Sequence, residues 1–401
     1  MNDNSKQFSQ GLPATTADGA GLLRAGIVRL EEAMRREVDS QRLPGAAILI
    51  ARGGKIGYRG QFGRLRPGGP GMRPDAIFRI YSMTKPIISV ALMMLVEEGR
   101  LLLTDPLSKY VPAFAEPRVG VEQDGELRLV PAEYPITIQD LLRHTSGLTY
   151  AHTGMSPVQR LYAQAPLRRR DIASATFLEA LAALPLMAQP GSHWHYSHST
   201  DVLGCVIEII SGQKLSIFLQ ERVLGPLGMS DTAYFAPPDK HERLAEPFEV
   251  DPDNGETVRL FDNRTPPRFE MGGSGMVSTL DDYARFCQML LQGGVFNGVR
   301  LLGRKTIDFM TADHLRQNIK IAPHGLLPPG HGFGLGFAVR REQGLAPTPG
   351  TIGEFYWGGL AGTAFFIAPK EDLFAILMIQ AQGQREYYRA LFRNLVHGAM
   401  A

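Results

Sequence analysis

The sequence predicts an α+β protein in which strands from both ends of the chain form one antiparallel sheet flanked by helices. Strand-like segments cluster near the two ends, and the interior carries helical patterns separated by Pro- and Gly-rich loops. Of the 401 residues, 44% are hydrophobic, so a substantial buried core is expected. We predict a flexible N-terminal arm at residues 1–20, a sheet domain at 21–85 and 325–401, and a mainly helical inserted domain at 86–324.

The first elements follow from local periodicity and turn residues. The polar start of the chain lacks the apolar stretch of a signal peptide. Residues 21–40 carry apolar side chains at helical spacing, and residues 45–63 predict two strands around a Gly-Gly turn. The stretch "TIQDLLRHTSGL" suits a helix that ends at Gly147. In a later helix, Thr279 and Asp282 have the spacing of a capping box.

The C-terminal end returns to strands. Residues 332–340, 354–369 and 373–381 are rich in aromatic and β-branched side chains, and each predicts a strand. A "KED" turn separates the last two, and "REYYRALFRNLVHGAM" predicts a closing helix.

Charge and cysteine content exclude several functional classes. A net charge of +2 argues against a partner such as nucleic acid or a membrane surface. The longest apolar run ends at Glu97 and is too short to span a bilayer, so we expect a cytoplasmic protein. Cys205 and Cys287 are predicted to be buried free thiols. The basic run at 168–170, followed by Asp171, is typical of a solvated helix start.

The stretch "YSMTKP" contains the first candidate for catalysis. Pro86 is tolerated only in the first turn of a helix, so it predicts a helix that begins near Ser82. A serine at that position has its oxygen and its own N–H at the positive end of the helix dipole. Lys85 lies one turn along on the same face, where its charge lowers the proton affinity of its neighbours.

The S-x-x-K pattern alone is weak, because the chain contains it twice. Ser211 and Lys214 repeat it, but Gly212 predicts a helix end between them, so this second pair is interpreted as structural. The common G-x-S-x-G elbow of hydrolases is absent.

Further landmarks raise the specificity of the first pair. Along the chain these are "FRIYSMTKP", "TIQDLLRHTSGL", "PGSHWHYS", "PLGMSDT", "GGSGMVSTLDDYARF", "GFGLGF" and "WGG". In these segments and their order, the chain resembles the serine β-lactamase and penicillin-binding-protein superfamily, over roughly residues 22–400. Within it, the chain is most similar to family VIII carboxylesterases, which share the class C β-lactamase fold. The resemblance implies a β-lactamase/transpeptidase-like fold.

The resemblance also implies the roles of individual residues. Ser82 is then the nucleophile that accepts the acyl group. Lys85 holds down the proton affinity of Ser82 and of Tyr196, and Tyr196 is the base. A phenol ordinarily titrates near ~10, so such a base needs a neighbouring cation. By the same analogy, the N–H groups of Ser82 and Leu360 form the oxyanion hole.

Two departures from the β-lactamase pattern concern substrate binding. The usual Lys-Thr-Gly motif is replaced by Trp357, Gly358 and Gly359, and the usual Tyr-x-Asn is replaced by Tyr196–His198. The lysine that meets a lactam carboxylate is therefore missing, and His198 stands where an amide-binding asparagine is expected. Trp357 presents an apolar wall instead, which favours neutral acyl esters.

The histidine-rich stretch raises the alternative of a metal site. His193, His195 and His198 lie close together, but no Asp, Glu or Cys completes a ligand set nearby, so no metal and no cofactor is predicted. His144 falls in the predicted last turn of a helix, where a structural role near the terminal carbonyls is expected.

The predicted function is a carboxylesterase that acts on a small-molecule ester. A β-lactamase, a D-amino-acid amidase or peptidase, and an acyltransferase remain alternatives on the same fold. A non-catalytic penicillin-binding module is disfavoured, because it has no need of serine, lysine and tyrosine together.

The placement of Ser82 at a helix start leads to a first prediction. Ser82→Ala is expected to remove essentially all ester hydrolysis, whereas Ser211→Ala leaves it nearly intact, as a steady-state assay with p-nitrophenyl butyrate would measure. Turnover retained in Ser82→Ala contradicts the assignment.

Overall fold

The computed structural model describes residues 11–315, 319–322 and 326–401. The helices are α1 (Arg24–Asp39), α2 (Thr84–Glu97), α3 (Ile138–Leu142), α4 (Pro157–Gln164), α5 (Ser174–Ala182), α6 (Ser199–Ser211), α7 (Leu215–Leu219), α8 (Gly225–Leu227), α9 (Leu280–Leu291), α10 (Arg304–Met310) and α11 (Arg385–His397). The strands are β1 (Gly45–Arg52), β2 (Lys55–Gly63), β3 (Phe78–Arg79), β4 (Arg118–Gln123), β5 (Glu126–Pro131), β6 (His193–Trp194), β7 (Val277–Ser278), β8 (Val295–Phe296), β9 (Val299–Arg300), β10 (Lys320–Ile321), β11 (His331–Phe333), β12 (Ala338–Arg340), β13 (Phe355–Gly358), β14 (Ala364–Ala368) and β15 (Leu373–Ile379).

Both ends of the chain build one seven-stranded sheet in the order β11-β12-β13-β14-β15-β1-β2. Every neighbouring pair is antiparallel. The two ends meet where β1 pairs with β15, with Ile48 opposite Leu377. This arrangement confirms the predicted sheet.

The sheet is buried on both faces because its strands are apolar throughout. In β1, Ile48 and Ile50 join a cluster that includes side chains of α1 and α11. The alternate residues Leu49 and Ala51 join the larger core formed with α2, α6 and α9. Because successive side chains of a strand point to opposite faces of the sheet, the side chains of β1 are divided between two cores. Consequently α11 lies on one side of the sheet and α2 on the other.

The helix that follows Ser82 is central to the second core. A 3₁₀ turn, Tyr81–Met83, precedes α2, and Pro86 lies in the first turn of α2 as predicted. Apolar side chains surround the helix, and its residues from Thr84 to Leu95 are all buried. A fixed helix of this kind gives Ser82 a fixed position.

The helix predicted to end at Gly147 ends earlier, at Leu142. His144 has a left-handed backbone with φ of +58°. The Thr145 hydroxyl donates to the Asp140 carboxylate at 2.7 Å, and the Thr145 N–H donates to the Asp140 carbonyl oxygen. These local bonds turn the chain out of the helix, which apolar spacing alone does not predict. His144 is accordingly outside the helix, and its predicted place in a last turn is wrong.

Two stretches predicted as single strands are hairpins. Residues 332–340 contain the last two residues of β11 and the whole of β12. The chain turns between them at Gly336, which has φ of +101°. Residues 354–369 divide into β13 and β14 around a turn in which Gly362 has φ of +102°. Glycine takes these angles without a steric penalty, so the chain reverses there.

The predicted capping box of α9 is only half formed. The Thr279 side chain accepts a hydrogen bond from the Asp282 N–H at 3.2 Å. The Asp282 carboxylate does not return the bond; it accepts instead from the Asp231 N–H at 2.7 Å and the Thr232 hydroxyl at 2.8 Å. Burial raises the pKa of Asp282 to about 6. Asp282 therefore connects α9 to a neighbouring loop.

Residues 13–22 differ from the predicted free arm. The Thr15 N–H donates to the Ile56 carbonyl oxygen, and the Ile56 N–H donates to the Pro13 carbonyl oxygen. Ala20 and Leu22 are buried against the sheet. Small and apolar side chains thus fix this segment to β2.

The arginines at 168–170 do not begin a helix, since α5 starts only at Ser174. Arg169 pairs with Asp171, but Arg170 donates to the backbone carbonyl oxygens of Asp262 and Tyr234. The interpretation as a solvated helix start is therefore wrong for Arg170, whose donors cross-link two loops.

Other expectations are met. Cys205 and Cys287 are buried free thiols, and Gly212 ends α6 in the left-handed conformation. Across the described ranges, no single helix has the length and apolar composition to cross a bilayer, whereas one pair bent by 82°, Ser199–Ser211 with Leu215–Leu227, meets both criteria.

Close packing between the β11–β12 turn and α2 leads to a second prediction. A Cβ at Gly336 lies 2.3 Å from Ser89 Oγ, whereas nothing lies within 4 Å of a Cβ at Gly344. Both glycines have positive φ, so alanine strains the backbone at either position. Gly336→Ala should therefore lower the free energy of unfolding by roughly 1–3 kcal/mol more than Gly344→Ala, as urea denaturation measures. Equal losses contradict the packing argument.

Candidate active site

Helix α2 brings Ser82 and Lys85 together at its start. Lys85 Nζ lies 3.3 Å from Ser82 Oγ, which is hydrogen-bond distance. The lysine is only 1% exposed, whereas Ser82 is partly exposed to the main cavity. The predicted pair is therefore formed, with its serine accessible and its ammonium buried.

The Lys85 ammonium has three hydrogen-bond acceptors. Besides Ser82, it donates to the Gly273 carbonyl oxygen at 2.7 Å and to the Tyr150 hydroxyl at 3.1 Å. It also lies 4.5 Å from the centre of the Tyr196 ring. All three N–H bonds of the ammonium are satisfied, which burial of a charge requires.

Asp201, on α6, provides the buried negative charge of the site. Its carboxylate accepts from the Gly273 N–H at 2.7 Å and from Tyr150 at 3.5 Å, and it contacts His198 Nδ1 at 2.8 Å. Burial opposes its ionisation, but the His198 bond and the Lys85 charge hold the pKa of Asp201 below its usual range. Asp201 therefore holds Tyr150 and Gly273 in place, and these are two of the residues to which Lys85 donates hydrogen bonds.

Tyr150 remains a neutral phenol in this environment. Burial, and then the Asp201 charge, raise the pKa of Tyr150 well above its ordinary value. Its hydroxyl accepts from Lys85 and faces Asp201, so its lone pair and its proton are both in use. It is therefore a poor candidate for a general base.

Among the described residues, the Tyr196 hydroxyl has one hydrogen-bond partner. The indole Nε1–H of Trp357 donates to it at 3.0 Å. His144 packs against the Tyr196 ring, at 4.9 Å between centroids, and its Nδ1 lies 3.1 Å from Ser197 Oγ. His144 thus takes a structural position that orients the tyrosine.

The turn after β13 brings Leu360 to the same cavity as Ser82. A Cβ at Gly359 would lie 2.3 Å from the Ile80 carbonyl oxygen, so only glycine permits this approach to the segment before Ser82. In the part of the chain that the structure describes, the Leu360 N–H has no hydrogen-bond partner. It is therefore available to a ligand.

The cavity has a volume of about 780 Å³ and is mainly apolar. Tyr81, Phe261 and Met271 contribute apolar walls, and Arg168 lies over the Phe261 ring at 5.9 Å. Burial, and then the Arg168 charge, lower the pKa of His152 to about 4. His152 is thus a neutral wall residue at neutral pH.

The structure brings together most of the predicted site residues. Ser82, Tyr196, Trp357 and Leu360 all line one cavity, with Lys85 beneath it. Gly358 lines the same cavity, and Gly359 lies in the turn beside it.

His198 takes a different position from the substrate-facing one predicted. Although it reaches the cavity wall, its side chain is only 3% exposed and its Nδ1 is turned to Asp201. Its ring packs on those of Tyr150 and Phe177. Aromatic neighbours and a buried carboxylate draw it inward, so it supports Asp201.

Sequence reasoning missed Tyr150, Asp201 and Gly273. The available signals are an aspartate in the first turn of the otherwise apolar helix α6 and a tyrosine that closes "TSGLTY". Neither identifies a partner, since all three residues act through contacts distant in sequence.

Of the three clustered histidines, His198 lies apart from the other two. The rings of His193 and His195 stack at 5.8 Å between centroids, while His198 faces Asp201. Over residues 11–315, 319–322 and 326–401, no group of three or more His, Cys, Asp or Glu side chains is placed to hold a metal ion.

Comparison with known families agrees with this geometry. The family model described as Beta-lactamase matches residues 30–399. The chain belongs to the beta-lactamase family. The predicted resemblance and the β-lactamase/transpeptidase-like fold are confirmed.

Individual relatives cover nearly the whole chain. Esterase EstB of Burkholderia gladioli is 33% identical, over 91% of this chain and 92% of EstB. The structure of EstCE1, described as a hydrolase with promiscuous acyltransferase activity, superposes with a TM-score of 0.77 at 28% identity, over 93% of this chain and 99% of EstCE1. Monacolin J acid methylbutanoyltransferase of Aspergillus terreus is 27% identical, over 94% of this chain and 96% of the transferase. The two esterase likenesses support the prediction of a carboxylesterase-type hydrolase.

The contact between Tyr150 and Lys85 leads to a third prediction. Tyr150→Phe removes one of three acceptors from a buried ammonium, so kcat should fall at least about tenfold. Tyr162→Phe is the matched control, because Tyr162 is equally buried and makes no hydrogen bond with Lys85 or Asp201 among the described contacts. Steady-state kinetics of both variants provide the measurement, and equal losses contradict the assignment.

Proposed function

We propose that this protein is a serine carboxylesterase that cleaves short-chain acyl esters through an acyl-enzyme on Ser82. The observation that carries the proposal is the buried Lys85 ammonium between Ser82 Oγ and the Tyr196 ring. A cation there stabilises negative charge as it develops on either oxygen, and it is itself shielded from solvent. No metal or cofactor enters the proposed reaction.

In the acylation step, Ser82 Oγ forms a bond to the ester carbonyl carbon while its proton passes to the Tyr196 oxygen. The N–H groups of Ser82 and Leu360 receive the negative charge that develops on the carbonyl oxygen. The bond to the alcohol oxygen then breaks, and Tyr196 returns the proton to that alcohol. The acyl group remains as an ester of Ser82.

In the deacylation step, water repeats the reaction in the opposite sense. Tyr196 takes a proton from the water, whose oxygen attacks the acyl carbon, and the proton passes to Ser82 as the carboxylic acid leaves. The Trp357 indole N–H donates to the Tyr196 oxygen, and the Lys85 charge lies against the Tyr196 ring, so both stabilise negative charge as it develops there.

Substrate choice follows from the position of Trp357. Its indole is directed at Tyr196 and its side chain is 6% exposed, so it fills the place of the cationic lysine in the β-lactamase motif. A lost charge-assisted bond is worth roughly 1.5–3 kcal/mol, so binding of a lactam carboxylate should weaken. A neutral, short acyl ester has no carboxylate, so it needs no cationic side chain at position 357.

Acyl transfer to an alcohol is the second candidate function. EstCE1 is described as having acyltransferase activity besides hydrolysis, and the Aspergillus terreus relative is named a transferase. A cavity of about 780 Å³ has room for an acyl group together with an acceptor. In that reaction an alcohol replaces water in the second step, and the same residues carry the proton.

A comparison of substrates tests the proposal and makes a fourth prediction. The kcat/KM for p-nitrophenyl butyrate should exceed that for nitrocefin on one preparation, because no lysine occupies position 357. A phosphonate ester should add covalently to Ser82 in intact-mass measurements, and the adduct should be missing from Ser82→Ala. A higher kcat/KM for nitrocefin would instead identify a lactamase, and ester product formed on added butanol in excess of acid would identify a transferase.

A further inference from the structure

Arg389, on α11, reaches the turn that carries Leu360. Its Nη2 donates to the Gly359 carbonyl oxygen at 2.5 Å, and its Nη1 pairs with Glu386 at 2.8 Å. The guanidinium lies directly against Gly358, where an added Cβ would be 2.7 Å from Cζ. The turn therefore has Arg389 on one side, against Gly358. On its other side Gly359 approaches the segment before Ser82.

The carbonyl oxygen that Arg389 contacts belongs to a particular peptide group. Gly359 C=O and Leu360 N–H are the two ends of one peptide unit, and the structure contains no cis peptide bond among its described residues. In a trans peptide the C=O and N–H point in opposite directions. With Arg389 on the oxygen, the Leu360 N–H points away from α11, and it has no partner of its own in the described ranges.

We propose that Arg389 is a positioning residue of the oxyanion hole, which fixes and polarises the Gly359–Leu360 peptide through the Gly359 oxygen. The inference rests on the proposed function, in which Leu360 N–H is an oxyanion donor.

Two physical effects act through this bond. A charge-assisted hydrogen bond holds the peptide plane, so the N–H is oriented before substrate binds. A cation at the oxygen also increases the partial double-bond character of the C–N bond, which makes the N–H a stronger donor. Both effects are strengthened because the Arg389 side chain is half-buried, with 21% of its surface exposed, and hydrogen bonds reinforce one another where the dielectric is low.

The same contact explains the glycines after Trp357. Gly358 leaves the space that the guanidinium fills, and Gly359 leaves the space beside the Ile80 carbonyl oxygen. A Lys-Thr-Gly motif places a threonine Cβ at position 358, which is incompatible with Arg389 in this position. The absence of a side chain at Gly358 therefore matches the position of the Arg389 guanidinium.

The acyl-enzyme carbonyl provides a direct measurement of oxyanion-hole strength. Its infrared stretching band, formed from p-nitrophenyl trimethylacetate labelled with ¹³C at the carbonyl, moves to lower wavenumber as the hydrogen bonds to its oxygen strengthen. For Arg389→Met we expect the band to move to higher wavenumber than in the wild type. We also expect kcat to fall about tenfold to a hundredfold with KM changed less, somewhat below the loss of a direct donor.

Two further variants keep the test decisive if Arg389→Met folds poorly. Gly358→Ala displaces the guanidinium without removing it, and it should move the band in the same direction. Arg389→Lys retains a charge but not the planar fork, so it should give an intermediate band.

Arg52 provides the matched control. It is partly buried and also donates to backbone carbonyl oxygens, those of Gly21 and Glu371, both at 3.0 Å and far along the sheet from Ser82. Arg52→Met should lower the thermal midpoint yet leave the band at the wild-type position. A general loss of packing alone therefore does not reproduce the expected result.

The outcomes separate the two claims. If the wild type forms no acyl-enzyme on Ser82, or its band lies no lower than that of the same ester in hexane, the proposed function fails. If the wild-type band is lowered but is unchanged in folded Arg389→Met, Gly358→Ala and Arg389→Lys, the role of Arg389 is overturned and the oxyanion hole stands.

Discussion

The buried ammonium of Lys85 is the constraint on which the rest of the site depends. A charge removed from water costs several kcal/mol unless hydrogen bonds and an opposite charge compensate it. Its acceptors come from separate parts of the chain: the Ser82 hydroxyl, the Tyr150 hydroxyl and the Gly273 carbonyl oxygen. Asp201 supplies the opposite charge and holds the last two in place. The hydrogen bonds that one buried lysine requires thus hold three segments of the chain together around Ser82.

The sheet supplies the complementary half of the site. The β13 strand and its turn place Trp357 against Tyr196 and Leu360 at the cavity wall. Glycines at 358 and 359 let backbone and side chains approach that turn from both faces. The sheet therefore contributes Trp357 and the Leu360 turn to the cavity, while the start of α2 and the loops that carry Tyr150 and Tyr196 contribute the facing wall. Both halves share the larger core, which contains Trp357 together with Tyr196 and the buried side chains of α2.

How much was predictable depends on how local each cause is. The S-x-x-K helix start, the two-ended sheet and Tyr196 follow from short motifs, periodicity and family resemblance. Tyr150 and Asp201 do not, because their roles arise only when distant segments meet around Lys85. Element ends also escaped prediction where one residue decides them. Gly336 turns a predicted strand into a hairpin through its left-handed angle, which composition does not specify.

The pairing of β1 with β15 has a consequence for how the protein matures. The first strand to emerge from the ribosome must wait for the last before its edge is covered, and such long loops close slowly. Ser82 and the Leu360 peptide lie on either side of that delay. A nascent chain can therefore form the helix that carries Lys85 before the Leu360 turn exists. The two walls of the cavity meet only after β15 has been made, and until then the edge of β1 is exposed.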